Sequence, residues 1–424
     1  MSRVNARFRI PVLALCFAGL AFEGYDLVSY GTVLPELVSP QGWDIGPATA
    51  GLISTLTVVG MLIGSLVSGA LADFIGRRML TIASCGWFSV WMAICAVAPT
   101  AETLGGARFM AGLGIGAFVP LAAALAVEFA PEGKGNRYSA IAWSGYPVGG
   151  VVAALVGVVA LEPLGWRFLF ALGALPLVTL VPLMYFTLPE SSATRRPADD
   201  ADGSQDDRSS GTARGPKALF VDGVWVRTIV FGLMSASGLV LTYGLNTWLP
   251  QLMRANGYEL GSALTFLIAL NLGAAIIPPL LARRADASGP RTVMIAVFLA
   301  AAASILALSI ALPLGLVYVL VFVAGAGTLG AQLLMSGFVA TDYPDNSRVA
   351  ALSWISCAGR VGALGGPTLI GFLVAAGSSV ETSFYVFAGF GILGAILAAA
   401  IPRRPQTWSV ADADGIAAAA RSEA

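Results

Sequence analysis

Histidine occurs nowhere in this chain of 424 residues, and charged residues make up only 11% of it. A soluble domain carries roughly 25% charged residues, so an ordinary water-exposed globule is excluded. Without histidine, a carboxylate is the only good candidate for holding a transferable proton near neutral pH. Cysteine is nearly as scarce. Cys16, Cys85, Cys95 and Cys357 lie at scattered spacings inside apolar runs, which implies neither a disulfide framework nor a metal site. Net charge is also missing, with 24 basic residues against 24 acidic, so no basic patch points to nucleic acid. The polar segments hold no nucleophile–base pair, metal-ligand cluster or nucleotide loop, so neither an enzyme nor a cofactor is expected.

What the chain has instead is apolar length. Hydrophobic residues make up 57% of it, grouped into blocks of about 20 or more, enough to cross ~30 Å of hydrocarbon as helices. Twelve such blocks run Pro11–Leu34, Ala48–Ala70, Met79–Ala98, Leu104–Val127, Tyr138–Leu161, Phe168–Leu188, Trp225–Gln251, Ser262–Leu281, Thr292–Leu312, Leu316–Val339, Val349–Ala375 and Phe384–Ile401. The expectation is an all-α membrane protein lying in the lipid bilayer. With the N-terminus inside, Arg3, Arg7, Arg9, Arg77, Arg78, Lys134, Arg137, Arg283, Arg284, Arg291, Arg348, Arg403 and Arg404 fall in cytoplasmic segments, and only Arg167 and Arg254 in outer loops. This asymmetry predicts a bacterial cytoplasmic membrane protein with both termini cytoplasmic. The basic N-terminal stretch is read as the flank of the first span rather than as a cleavable leader, because its apolar run continues to Leu34 and removal would leave an odd number of spans.

Between the sixth and seventh blocks the composition turns to Ser, Asp, Arg, Gly and Pro, too polar to offset its own ordering entropy. The organisation read from this is a six-helix bundle over 1–190, a flexible cytoplasmic linker over 191–222, a second bundle over 223–405 and a tail over 406–424. The two bundles repeat each other. Ala72-Asp73, Gly76 and Arg78 return as Ala285-Asp286, Gly289 and Arg291, an offset of 213; Gly112 and Gly114 return as Gly325 and Gly327, and Pro131-Glu132 as Pro344-Asp345, at the same offset. Tyr30-Gly31 before Leu34-Pro35 returns as Tyr243-Gly244 before Leu249-Pro250, and Arg137 and Trp143 return as Arg348 and Trp354. Five matches in chain order imply duplication into two pseudo-symmetric halves, the arrangement of a carrier that rocks around a central site.

The loop Gly69-Ala70-Leu71-Ala72-Asp73-Phe74-Ile75-Gly76-Arg77-Arg78 resembles the signature loop of the major facilitator superfamily, with a degenerate copy at Ala285–Arg291. The resemblance implies the major facilitator fold. It also implies that Asp73, Gly76, Arg77, Arg78, Asp286 and Arg291 belong to a cytoplasmic gate. On chemistry alone, small residues let helices approach closely, and the charges cap or pair at helix ends.

The first helix is more specific. Glu23-Gly24-Tyr25-Asp26-Leu27, followed by Tyr30-Gly31 and Leu34-Pro35, resembles the first helix of the aromatic acid:proton symporters, benzoate and 4-hydroxybenzoate carriers among them. It departs from them in carrying Glu23 where that family usually has aspartate. The resemblance implies import of a small aromatic carboxylate together with protons; a monomer is expected, although the residues themselves leave the oligomeric state open.

A charge at the centre of a bilayer costs at least ~2.5–3.5 kcal/mol, which makes each one a functional candidate. Glu23 and Asp26 are three residues apart and Tyr30 four further on, so all three share a helical face and the two carboxylates disfavour simultaneous ionisation. Arg108 opens the fourth helix in Arg108-Phe109-Met110-Ala111-Gly112; it either pairs with a first-helix carboxylate or snorkels to the surface. The symporter resemblance adds Glu128 near the other end of that helix. Arg360 breaks the internal symmetry, because Gly149 stands at its repeat position. It lies twelve residues past Arg348, roughly 18 Å at helical rise. Arg360 is therefore the expected anchor for a substrate carboxylate, held in a bidentate pair, with an internal salt bridge as the alternative. Aromatic walls are available from Tyr25, Tyr30, Trp143, Tyr146, Tyr243, Trp248 and Trp354.

Two competing readings keep the same fold. Gly145-Tyr146-Pro147-Val148-Gly149-Gly150 partly resembles an antiporter motif, which favours a proton-coupled exporter of drugs or metabolites. A facilitator of neutral solutes is opposed by the acid pair and the central arginine.

Overall fold

Inside lipid a backbone has to satisfy its hydrogen bonds within its own segment, which leaves the helix as the natural way across. Among the described residues, twelve helices are long and apolar enough to cross a membrane. The structure is a computed structural model, and it describes residues 3–40, 43–131, 134–189, 225–310, 312–343 and 345–401. In chain order the spans are α1 (Ile10–Val38), α2 (Pro47–Ala72), α3 (Arg77–Ala96), α4 (Ala101–Glu128), α5 (Arg137–Leu164), α6 (Trp166–Thr187), α7 (Trp225–Ala255), α8 (Leu260–Leu281), α9 (Pro290–Ala307), α10 (Leu314–Val339), α11 (Ala351–Ala375) and α12 (Val380–Ala400). Each expected block coincides with one of them. The linker expected at 191–222 and the tail at 406–424 lie outside the described residues.

Three spans that read as unbroken are interrupted. α5 consists of Gly135–Trp143 and Gly145–Leu164, meeting at Ser144. Pro147 has no N–H to give the Trp143 carbonyl, so the ladder breaks there. α6 passes through a tight turn at Leu175–Leu177 around Pro176. In α10 the wider turn Ala326–Gly330 separates two regular stretches, and Thr328 leaves the helical region at φ −88, ψ −126. Glycines at 325, 327 and 330 leave this turn little side-chain packing to hold it regular.

The duplication is visible in the packing. A Cβ on Gly112 would strike the Thr57 carbonyl of α2, and a Cβ on Gly325 would strike the Leu270 carbonyl of α8, the same position 213 residues on. Gly60 against Phe109 and Gly273 against Phe322 repeat the relation from the other side of each crossing. The short connections match too. Gly76 at φ 84 and Gly289 at φ 85 each turn the chain between consecutive helices, a conformation that side chains rarely adopt. Arg78 then donates to the Leu188 and Tyr185 carbonyls at the end of α6, both at 2.6 Å, while Arg291 donates to the Ala399 carbonyl at the end of α12.

The two halves are joined in the part of the molecule away from the chain termini. Ser54 Oγ and Thr247 Oγ1 are 3.1 Å apart; Thr55 donates to the Leu364 carbonyl at 3.2 Å and meets Thr368. Arg254 donates to the Pro35 carbonyl at 3.3 Å. Gly51 and Gly371 bring α2 and α11 into backbone contact, and Gly31 does the same for α1 against Asn246 of α7.

Candidate functional site

Close packing places α1. Gly24 lies so near the Tyr146 carbonyl that any side chain there would strike it, and Gly145 and Gly149 approach the carbonyls of Phe17 and Ala21. This contact with α5 leaves the Glu23, Asp26 and Tyr30 face of α1 directed into the bundle, where all three are buried.

Asp26 forms a salt bridge with Arg108 of α4. Both are sealed from solvent, with side chains 4% and 1% exposed. Arg108 also points Nη1 at the Met92 sulfur, 3.8 Å away, and its guanidinium lies 5.3 Å from the Tyr30 ring and 5.8 Å from the Phe170 ring. Those faces suit a cation that has lost its water. Tyr30 is held by its own bond to the Ala50 carbonyl at 2.7 Å, and Tyr25 by one to Leu169 at 2.8 Å. Of the two options for Arg108, the geometry has the inward pair and not the surface.

Glu23, one turn earlier, has no such arrangement. Among the described residues its Oε2 is buried and lacks a hydrogen-bond partner, and so does the hydroxyl of Tyr146. Both line a cavity of about 10 Å³ with Asp26, Leu27, Thr57, Val58, Met61, Ile115 and Tyr243. That is about the room of one water. Tyr243 comes from the second half and its hydroxyl reaches the Met61 sulfur at 3.8 Å, so the cavity lies on the seam between the halves. Arg360 of α11, half-buried, also belongs to the second half, and its charge acts on both Glu23 and Tyr243. Among the described residues it forms no salt bridge. Gly359 and Gly362 pack α11 tightly onto Ser235 and Ala236 of α7 on either side of it.

The other expected residues are distributed around this centre. Trp143, half-buried, packs against the apolar cluster that includes Tyr146 and Tyr243. Its repeat mate Trp354 belongs to a different cluster, donating to the Thr228 carbonyl at 3.1 Å. Arg77 Nη1 lies 3.9 Å from Glu128 Oε2, within the first half. Arg78 and Arg291 are tied to α6 and α12 as described above, each inside its own half. The side chains of Asp73 and Asp286 lie outside what the structure describes.

Two polar groupings escaped the sequence reading. Arg227 of α7 and Asp342, just beyond α10, form a second buried salt bridge, 4% and 3% exposed. Each stands within a few residues of a helix end, where a charge reads as an ordinary boundary marker. Asn271 of α8 donates to the Asn246 side chain at 3.0 Å, and Asn246 to the Thr242 carbonyl at 2.8 Å. Uncharged amides inside apolar runs carry little weight in a reading based on charge.

Comparison with known proteins gives three kinds of likeness. A family model for the Major Facilitator Superfamily matches residues 16–278 and 265–422. The chain is 36% identical over 406 residues to a gentisate transporter of Corynebacterium glutamicum, covering 95% of this chain and 89% of that protein. It is 33% identical over 393 residues to a benzoate transport protein of Acinetobacter baylyi, covering 87% and 84%. Among solved structures, the crystal structure of a D-xylose–proton symporter superposes with a TM-score of 0.75 at 19% identity, covering 94% of this chain and 98% of that one, a likeness of fold.

Proposed function

The chain belongs to the major facilitator superfamily, a transporter and not an enzyme, and on that premise we propose that it imports a small aromatic carboxylate together with protons. The observation that carries this reading is the buried grouping in which Asp26 is already neutralised by Arg108, while among the described residues Glu23 Oε2 lacks a hydrogen-bond partner and Arg360, whose charge acts on Glu23, forms no salt bridge. An anionic cargo needs a fixed cation, and Arg360, whose charge acts on Glu23, forms no salt bridge among the described residues. A guanidinium matches a carboxylate bidentately. The similarity to carriers of gentisate and benzoate supports an aromatic acid as that cargo.

The cycle follows from charge. A proton on Glu23 or Asp26 and a carboxylate on Arg360 together leave the centre neutral, and only a neutral centre closes cheaply in a low dielectric. The halves then rock about the seam and release both ligands on the other face. Arg108 holds Asp26 in place and responds to its protonation. Trp143, Trp354 and Tyr30 supply walls and supports, while Asp73, Gly76, Arg77, Arg78, Glu128, Asp286 and Arg291 work at the cytoplasmic gate. With both termini on the cytoplasmic side of the bacterial inner membrane, the seam from Ser54 to Thr368 is the outer one, closed here. The carrier works as a monomer, each half supplying one side of the site.

Uptake of labelled benzoate and 4-hydroxybenzoate into proteoliposomes, with an imposed inward proton gradient, tests this reading against Asp26→Asn and Arg360→Ala. The expectation is gradient-dependent uptake that both variants abolish. Uptake indifferent to the gradient would remove the coupling, and undiminished uptake by the variants would remove the assigned roles.

A further inference from the structure

We propose that Glu23 and Tyr146 form a subsite for a ring hydroxyl, so that the preferred cargo is a hydroxylated aromatic carboxylate and not the bare ring acid. The proposal rests on the carrier reading above and refines it.

Two polar atoms carry the argument. Among the described residues, Glu23 Oε2 and the Tyr146 hydroxyl are both buried and both without a hydrogen-bond partner, although the Tyr243 hydroxyl lies beside Tyr146. The residues themselves are 6% and 3% exposed, and both line the same cavity. Buried polar groups normally find partners, and leaving them unpaired costs free energy in every state that keeps them so. Their chemistry is complementary. A carboxylate oxygen accepts and a tyrosine hydroxyl can donate, so a single hydroxyl placed between them satisfies both, giving its hydrogen to Glu23 and receiving that of Tyr146. The cavity of about 10 Å³ suits such a group, since an –OH takes up the space of one water.

The surroundings fix the rest of the ligand. Leu27, Val58, Met61 and Ile115 make the rest of the cavity lining apolar. Arg360, whose charge acts on Glu23 and Tyr243, is the cation that the carrier reading assigns to the carboxylate of the same molecule. The Tyr243 hydroxyl, beside that of Tyr146, reaches the Met61 thioether, a weak acceptor. An unsubstituted ring acid would press a C–H against Glu23 Oε2 and Tyr146 and leave both unpaired, which is how a site built for a hydroxyl rejects the analogue without one. The role does not compete with proton coupling, because the second carboxyl oxygen of Glu23 can hold the transported proton.

The test is calorimetric binding of benzoate, 3-hydroxybenzoate and 2,5-dihydroxybenzoate to the purified full chain in detergent, which reads the subsite even where transport is lost. The intact protein should bind the hydroxylated acids about tenfold or more tightly than benzoate, the worth of one buried hydrogen bond. In Tyr146→Phe that preference should shrink to about twofold or less, because only the hydroxyl is removed. If Tyr146→Phe does not elute as a folded species in size-exclusion chromatography, Glu23→Ala is read in its place with the same expectation. Equal binding of benzoate and its hydroxylated forms by the intact chain, or a preference that survives the substitution, overturns the subsite while leaving the carrier reading standing. Failure to bind any of the three acids overturns the carrier reading and the subsite with it.

Discussion

Arg108 and Asp26, 82 residues apart in the chain, form a salt bridge sealed inside the first half of the molecule. Taking two charges into a low dielectric is expensive, and removing one partner leaves the other without compensation. Arg108→Ala should therefore lower stability by about 3–5 kcal/mol. The double replacement Asp26→Asn with Arg108→Gln should recover a large part of that. Denaturant titration of the purified variants in mixed micelles measures both. A single variant as stable as the intact protein would mean that the pair is not buried in the folded state.

Arg360 makes the opposite prediction. It forms no salt bridge among the described residues, so truncating it should leave stability within about 0.5 kcal/mol of the intact protein. Binding should suffer instead, with the Kd for benzoate raised on the order of 10- to 100-fold in Arg360→Ala, as for loss of a charged hydrogen bond. Arg360→Lys should recover part of the affinity only, since an ammonium cannot form the bidentate fork. Calorimetry together with thermal melting separates the two effects. A large loss of stability with unchanged affinity would assign Arg360 to structure.

The repeat predicts equal costs at paired glycines. Gly112→Ala and Gly325→Ala place a methyl against equivalent carbonyls, Thr57 and Leu270, and each should cost about 1–3 kcal/mol through overpacking. Gly106→Ala is the control, because nothing lies within 4 Å of its added carbon. In the same helix it should be neutral or stabilising by about 0.5–1 kcal/mol. Unfolding midpoints of the three variants decide the matter, and the prediction fails if Gly106→Ala is the most damaging.

Ser54 and Thr247 lie on opposite halves with hydroxyl oxygens 3.1 Å apart. Cysteines at both positions, in a Cys357→Ser background that removes the exposed native thiol, should form a disulfide on mild oxidation. If the halves must part there, oxidation should reduce uptake to background and a reductant should restore it. Full uptake with the disulfide demonstrably formed would show that this seam stays shut throughout the cycle.

The parts of this protein that were legible in the chain are those set by neighbours in sequence. Whether a segment crosses lipid as a helix depends on its own length and apolarity, because its backbone must bond within itself, and all twelve runs became spans. The breaks in α5, α6 and α10 were less legible, since a proline or a run of glycines inside an apolar block is tolerated or bent according to the helices packed beside it. The Glu23, Asp26 and Tyr30 face could be read from spacing. The partner that Arg108 takes, and the unpaired state of Glu23, could not. Both depend on glycine contacts that set α1 against α5 and on the docking of the second half along α2 and α7. The same difference separates Trp143 from Trp354. They are equivalent in the repeat, yet one packs against the apolar cluster that includes Tyr146 and Tyr243, and the other is held by the Thr228 carbonyl. Duplication copies the helices and their crossings. The proposed site lies where the two copies meet, and packing between distant segments pairs Asp26 with Arg108 there while leaving Glu23 Oε2 without a hydrogen-bond partner among the described residues.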